Sequence, residues 1–416
     1  MLASLVGAAQ ALLGRLHHWK NRHQFLARYS IEKLVIFHEY QRDAPALRVA
    51  LVLLLSPLPV LVVLLVVDLL PLGDPLAGAR HNTPSFLRSA FSHAMIAVST
   101  MLSLGASLRL SRSQLSLRRI AVIGSLVGVF GELAWLPLAF FWRYPIPFRE
   151  LMNVPLFALL LAFFVWLLAR PVVHRLLQSQ ESRRRLNNVL QVAGLQLGLF
   201  YAGLGVAVGF AHVSLIWQIV LVLTVPIVKV GCKRLVWRFA HQYTDLTTEI
   251  TVCIVEMAAA LFQTVSFQDQ ARVLEQSLQL LFSCEVLLFA ELIEMFVPLV
   301  YAVYIAVAWQ LPNASYSLIL MTMSKDEMLA TVTSALVFST LELLSFLGLC
   351  WVMQRKYGIS VFHLLTFVLE KYWASLYGKL IGCFVTILMS ATLHQGIDWS
   401  FEFDYKALVA AAGQAH

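Results

Sequence analysis

The sequence predicts an all-α fold, a polytopic membrane bundle of about nine transmembrane helices within a range of eight to ten. Three observations carry that expectation. Hydrophobic residues make up 59% of the 416 positions and charged residues only 13%, about half the ~25% of an ordinary soluble domain. Apolar runs near the ~20 residues needed to cross a bilayer recur along the chain. The basic residues behind the formal charge of +8 fall in short clusters between those runs, where membrane proteins carry them. No basic and aromatic surface is left over for nucleic acid.

The individual elements follow from the runs. Candidate spans are 47–70, 89–108, 120–142, 151–169, 189–211, 213–231, 286–309, 328–353 and 376–394. Pro57 and Pro59 should kink the first, because proline removes a helix hydrogen bond and clashes with the preceding turn. The stretch 189–231 is too long for one crossing, and the polar break at His212 is its natural hairpin tip. A tenth run, 250–267, is apolar enough to span but carries Glu256 and Gln263. Residues 1–45 read as a basic amphipathic cytoplasmic tail, 46–394 as the transmembrane domain and 395–416 as a short polar tail. The apolar start, 1–13, is too short to span and lacks the basic residues of a signal peptide, so it reads as surface helix.

Orientation comes from basic residues. Arg15, Lys20, Arg22, Arg28, Lys33 and Arg42 precede the first span. Arg109, Arg112, Arg118 and Arg119 follow the second, Arg170, Arg175 and Arg183–Arg185 the fourth, and Lys229, Lys233, Arg234 and Arg238 the sixth. The alternate connections are poorer, holding Arg80 and Arg88, then Arg143 and Arg149, then none. The N-terminus is therefore expected in the cytoplasm, with nothing to choose between the plasma membrane and an endomembrane. Nine crossings put Arg355, Lys356 and Lys371 inside as well, whereas a crossing at 250–267 puts them outside. Trp19, Phe25 and Tyr29 among the tail's cations suit contact with anionic lipid headgroups.

Charged groups inside a bilayer are expensive, and those that persist usually face a bundle interior or a wet cavity. Glu132, Glu342, Glu291 and Glu294 lie within predicted spans and are the candidates for a substrate or ion pathway. Glu291 and Glu294 are three apart and share a helix face, with Pro298 four residues on to loosen the helix. A carboxylate pair there suits a cation or protons; hydrogen bonding across the bundle is the plainer alternative. Asp68 and Glu256 are weaker candidates. Gly194, Gly198, Ala202, Gly205 and Gly209 fall within about 80° of one another on a helix, a face that another helix can approach closely. Gly124 and Gly128 offer a shorter one. Asn313-Ala314-Ser315 is an N-glycosylation sequon. His17, His18 and His23 read as solvated residues rather than metal ligands. The cysteines Cys232, Cys253, Cys284, Cys350 and Cys383 show no ligand spacing, so no metal or cofactor is expected. No enzyme motif is present, and no catalytic residue is expected.

Over the C-terminal third the chain resembles a large family of uncharacterised oomycete multi-span transmembrane proteins. The resemblance rests on Glu291 and Glu294 before Pro298-Leu299-Val300-Tyr301, on Leu311-Pro312-Asn313, and on Phe367-Val368-Leu369-Glu370 ahead of Trp373. The end carries most of it: Leu393, His394, Gly396, Asp398, Ser400, Phe401 and Phe403. It implies a shared multi-span helical fold and brings no activity and no catalytic residues. The functional expectation is thus a transporter or channel-like protein of open substrate. The alternative is a non-transporting membrane receptor or scaffold protein whose acidic residues are structural. Oligomeric state is left open.

Overall fold

The computed structural model describes residues 31–191 and 270–397 except Arg109, Arg112 and Ile359, together with Ala193, Gly194, Gly198 and Tyr201. The expected spans 189–211 and 213–231, the run 250–267, the N-terminal tail to residue 30 and the end of the chain from 398 lie wholly or largely outside them. The described chain is all-α, with no strand among those residues. Its helices are α1 (Ile31–Asp43), α2 (Ala46–Leu55), α3 (Leu58–Leu69), α4 (Thr83–Ser107), α5 (Leu117–Phe141), α6 (Arg149–Leu168), α7 (Arg170–Gln178), α8 (Gln270–Ala308), α9 (Lys325–Tyr357), α10 (Val361–Lys371) and α11 (Trp373–Ser390).

Seven of the described segments are long and apolar enough to cross a membrane: Ala46–Leu69, Thr83–Ser107, Leu117–Phe141, Arg149–Leu168, Leu287–Ala308, Lys325–Arg355 and Trp373–Ser390. They coincide with seven of the nine expected spans. The first is broken between α2 and α3 at Ser56 and Pro57, as the prolines predicted. Pro298 behaves otherwise, because α8 runs through it without interruption. The second span starts earlier than its apolar run, at Thr83, with Pro84 in the first helical turn, where a missing N–H costs nothing. The last ends at Ser390, four residues short of expectation.

The helix ends sort into two groups. Asn313 Nδ2 donates to the carbonyls of Asp68 and Leu70, and His394 bonds the Gly73 carbonyl at 2.8 Å. Phe148 N donates to Gly396 O at 2.9 Å and Leu318 N to Ala391 O at 2.7 Å. The connections 70–82, 142–148, 309–324 and 391–397 therefore meet at one end of the bundle. At the opposite end Lys33 Nζ bonds Glu285 Oε1 at 2.7 Å, and Arg48 grips Glu370 with two bonds of 2.9 and 2.6 Å. That end also receives the close of α6, the start of α8 and the close of α9.

Small residues set the spacing of α4. A Cβ on Gly124 would sit 2.6 Å from Val98 Cγ2 and 2.9 Å from Ala94 O, and one on Gly128 would overlap the Ala90 carbonyl. On α4's other side a Cβ on Gly378 would come within 2.7 Å of Ser99 O. α4 is thus clasped between α5 and α11, the arrangement that small residues permit in membranes. Of the expected glycine face at 194–209 only Gly194 and Gly198 are described; among the described residues a Cβ on either meets nothing within 4 Å, and Gly205 and Gly209 lie outside them.

Candidate functional site

A polar chamber lies where α4, α5 and α6 meet. Its placement begins with the 391–397 turn. Gly396 adopts φ +64 with its Cα against Ile146, where a Cβ would overlap the Ile146 carbonyl; only glycine takes both that backbone and that approach. The contact pins 142–148 and delivers Arg149, Glu150 and Asn153 on the first turns of α6, 1%, 6% and 3% exposed. α5 contributes Glu132 and Trp135. The close α4–α5 approach at Gly128 brings His93 opposite them.

Every group in the chamber is bonded to another. His93 Nδ1 lies 3.1 Å from Glu132 Oε1 and Nε2 lies 3.2 Å from Glu150 Oε2. Arg149 Nη2 donates to Glu132 Oε2. Asn153 Nδ2 lies 2.8 Å from His93 Nε2, and Trp135 Nε1 donates to Asn153 Oδ1 at 2.9 Å. Arg149 also packs over the Phe86 ring, 5.6 Å from its centroid. Two carboxylates, a guanidinium and an imidazole are held away from water here, where ion pairs act in low dielectric.

The other predicted glutamates form a second cluster. Glu291 and Glu294 on α8 and Glu342 on α9 are each half-buried, and one carboxylate oxygen from each lies within 4.8 Å of the others. Ser345 Oγ donates to Glu291 Oε2 at 3.2 Å. Three convergent carboxylates are the donor chemistry of a hard cation. Glu132 belongs to the α4–α6 chamber and is not brought to this trio. The expected set of four is therefore two separate sites.

Sequence reasoning missed half of the chamber and its neighbour. Arg88 and Arg149 read as loop charges, yet both are buried ion-pair partners, because the connections carrying them fold back into the bundle. Arg88 Nη2 bonds Asp68 Oδ1 at 2.6 Å, and Tyr304 Oη bonds Asp68 Oδ2 at 2.6 Å. Asp68 is thus a buried anchor rather than a marginal span-end charge. The available signal was His93 inside an apolar run and the pair Arg149-Glu150 opening one. Lys379, in α11, is a further charge within an apolar run; its Nζ is buried without a hydrogen-bond partner among the described residues. Asn313 is 9% exposed with Nδ2 engaged by two carbonyls, so this packing leaves no room for a glycan on that nitrogen.

No family model, curated protein or solved structure matches the chain. The function rests on the residues themselves.

Proposed function

We propose that this chain is a membrane transport protein that handles a cation or protons through its intramembrane carboxylates. The observation that carries this reading is the chamber: His93, Glu132, Arg149 and Glu150 are 1–6% exposed within or at the mouth of membrane-spanning helices. A charged residue at a helix centre costs at least about 2.5–3.5 kcal/mol to insert, and a scaffold would be served as well by apolar side chains. The Glu291–Glu294–Glu342 trio supports it from the other half of the bilayer. Glu294 lies about 10 Å from the basic end of its span, and Glu132 about 14 Å from the opposite end of its own. Nine crossings with a cytoplasmic N-terminus are part of the proposal, as is a lipid-facing basic tail. So is kinship with the oomycete membrane proteins that the C-terminal third resembles.

Purified protein in vesicles loaded with a pH-sensitive dye tests it, with parallel tracer influx of sodium and potassium. Wild type should pass one of these ions. Glu132→Gln and the pair Glu291→Gln/Glu294→Gln should lose at least tenfold of that flux at unchanged yield. Flux equal to empty vesicles for all three ions, or variants that lose yield while keeping flux, would establish the receptor or scaffold role instead.

A further inference from the structure

The hydrogen bonds of the chamber fix where its protons sit. An indole N–H only donates, so Trp135 Nε1, 2.9 Å from Asn153, must face that residue's amide oxygen. Asn153 therefore turns its NH₂ toward His93 Nε2 at 2.8 Å, and Nε2 must accept. His93 is then neutral and carries its proton on Nδ1, directed at Glu132 Oε1 at 3.1 Å. Arg149 Nη2 holds the other oxygen of Glu132, as suits an ionised carboxylate. That leaves Glu150 Oε2 only 3.2 Å from a nitrogen lone pair. Two lone pairs at that distance repel, and neither side chain is more than 7% exposed, so little water can intervene. A proton on Glu150 turns the repulsion into the longer arm of a three-centre bond, in which the one lone pair of Nε2 accepts from both Asn153 at 2.8 Å and Glu150 at 3.2 Å. The inventory then closes at neutrality: ionised Glu132 against Arg149, neutral His93, protonated Glu150.

We infer that Glu150, His93 and Glu132 form a proton relay in which Glu150 stores the proton and Trp135 and Asn153 set the histidine tautomer. In the transfer step the O–H bond of Glu150 breaks as Nε2–H forms, and Nδ1–H breaks as the O–H of Glu132 forms. One proton moves from Glu150 to Glu132, His93 stays neutral by exchanging tautomers, and every electron pair stays with its atom. The new Nε2–H would face the NH₂ of Asn153, so that amide must rotate and give up Trp135. The Trp135–Asn153 bond thus holds the relay in its loaded state, and both are positioning residues. Arg149 Nε and Nη1 are buried with no hydrogen-bond partner among the described residues; ordered water meets such needs and would carry the proton into and out of a chamber otherwise closed to bulk solvent. Among the described residues the charged groups of the chamber that surround His93 are Glu132 from α5 and Arg149 and Glu150 from α6. Use of the proton in transport rests on the proposed function; its place on Glu150 does not.

The test is infrared difference spectroscopy of the full chain in lipid nanodiscs, with histidine-selective nitrogen resonances recorded alongside. Wild type should show the carbonyl stretch of a buried protonated carboxyl at neutral pH, and Glu150→Gln should remove it. His93 should be the Nδ1–H tautomer in wild type and lose that preference at least several-fold in Asn153→Ala, a change that mere loosening of the fold would not produce. Absence of the carboxyl band, its persistence in Glu150→Gln, or an Nε2–H or doubly protonated His93 in wild type would overturn the relay. Should Glu150→Gln fail to fold, Asn153→Ala and the wild-type spectra decide the question alone. A band without ion flux in vesicles would sustain the relay and remove the transport reading; flux without the band would do the reverse.

Discussion

At His394 a histidine is kept neutral by its surroundings. Burial pushes its pKa down from 6.5 to about 4, with the nearby Arg88 and Arg149 charges acting in the same direction. Its Nε2–H donates to the Gly73 carbonyl, which ties the C-terminal turn to the 70–82 connection. Between pH 6.5 and about 4 the unfolded chain binds a proton that the folded chain refuses, so stability rises with pH across that window. Above it both states are neutral and His394 adds no pH dependence. Acidification through the window should cost of the order of 3 kcal/mol at this site. Thermal unfolding in detergent checks this: His394→Gln keeps a donor for Gly73 and should flatten the acid limb relative to wild type. A limb of equal steepness would contradict it. Asn313 makes the complementary case, where the sequon's acceptor nitrogen instead ties two connections together. Asn313→Gln should lower thermal stability by an amount that reflects two lost hydrogen bonds, about 1–3 kcal/mol, and should produce no glycosidase-sensitive gel shift. A shift in the wild type would show that the nitrogen reaches the modifying enzyme before it packs.

The α4 clasp gives a sharper expectation at the scale of helices. Gly128→Leu would drive a side chain into the Ala90 carbonyl, and Gly378→Leu one into Ser99. Each should cost about 1–3 kcal/mol by overpacking, and Gly128→Leu should also pull His93 away from Glu132. Gly194→Leu and Gly198→Leu should be far milder, with nothing among the described residues within 4 Å to displace. Melting temperatures of the four variants in one detergent check the ranking; equal losses at Gly128 and Gly198 would refute it. The contrast marks what was legible in the sequence. Hydropathy located the seven described spans because each must face lipid along its length. Pro57 announced the α2–α3 break because proline acts locally. Glycine spacing marked a small-residue face at 124–128 and another at 194–209, but spacing does not say whether a neighbour arrives. Glu291, Glu294 and Glu342 stood out as carboxylates within apolar runs. Arg88 and Arg149 did not, because assigning charges to loops assumes that loop charges reach water. Nothing local foretold that Gly396 would fold onto Ile146 and set Arg149 in place.

The two ends of the whole bundle constrain its crossing number. α6 closes at the end where Lys33 meets Glu285 and where α8 begins. Under the proposed nine-crossing topology two crossings, 189–211 and 213–231, separate them and add to the seven described segments; a further crossing at 250–267 would be inconsistent with that proposal. The same geometry puts Arg118, Arg119, Arg170, Arg175, Arg355 and Lys371 at one end, the distribution expected of a cytoplasmic face. Single cysteines, placed after replacement of the five native ones, test both points with a membrane-impermeant thiol reagent. Leu76 and Ile319, 40% and 45% exposed, belong to one end; exposed Ser113 and Lys371 belong to the other. In sealed vesicles with the extracytoplasmic face outward, cysteines at 76 and 319 should be labelled, those at 113 and 371 only after permeabilisation. The reverse pattern would invert the protein in its membrane while leaving the crossing number intact. Labels at 76 and 319 on opposite sides would be the signature of ten crossings, and would break the hydrogen-bonded contact between Asn313 and Asp68 on which this arrangement of the bundle depends.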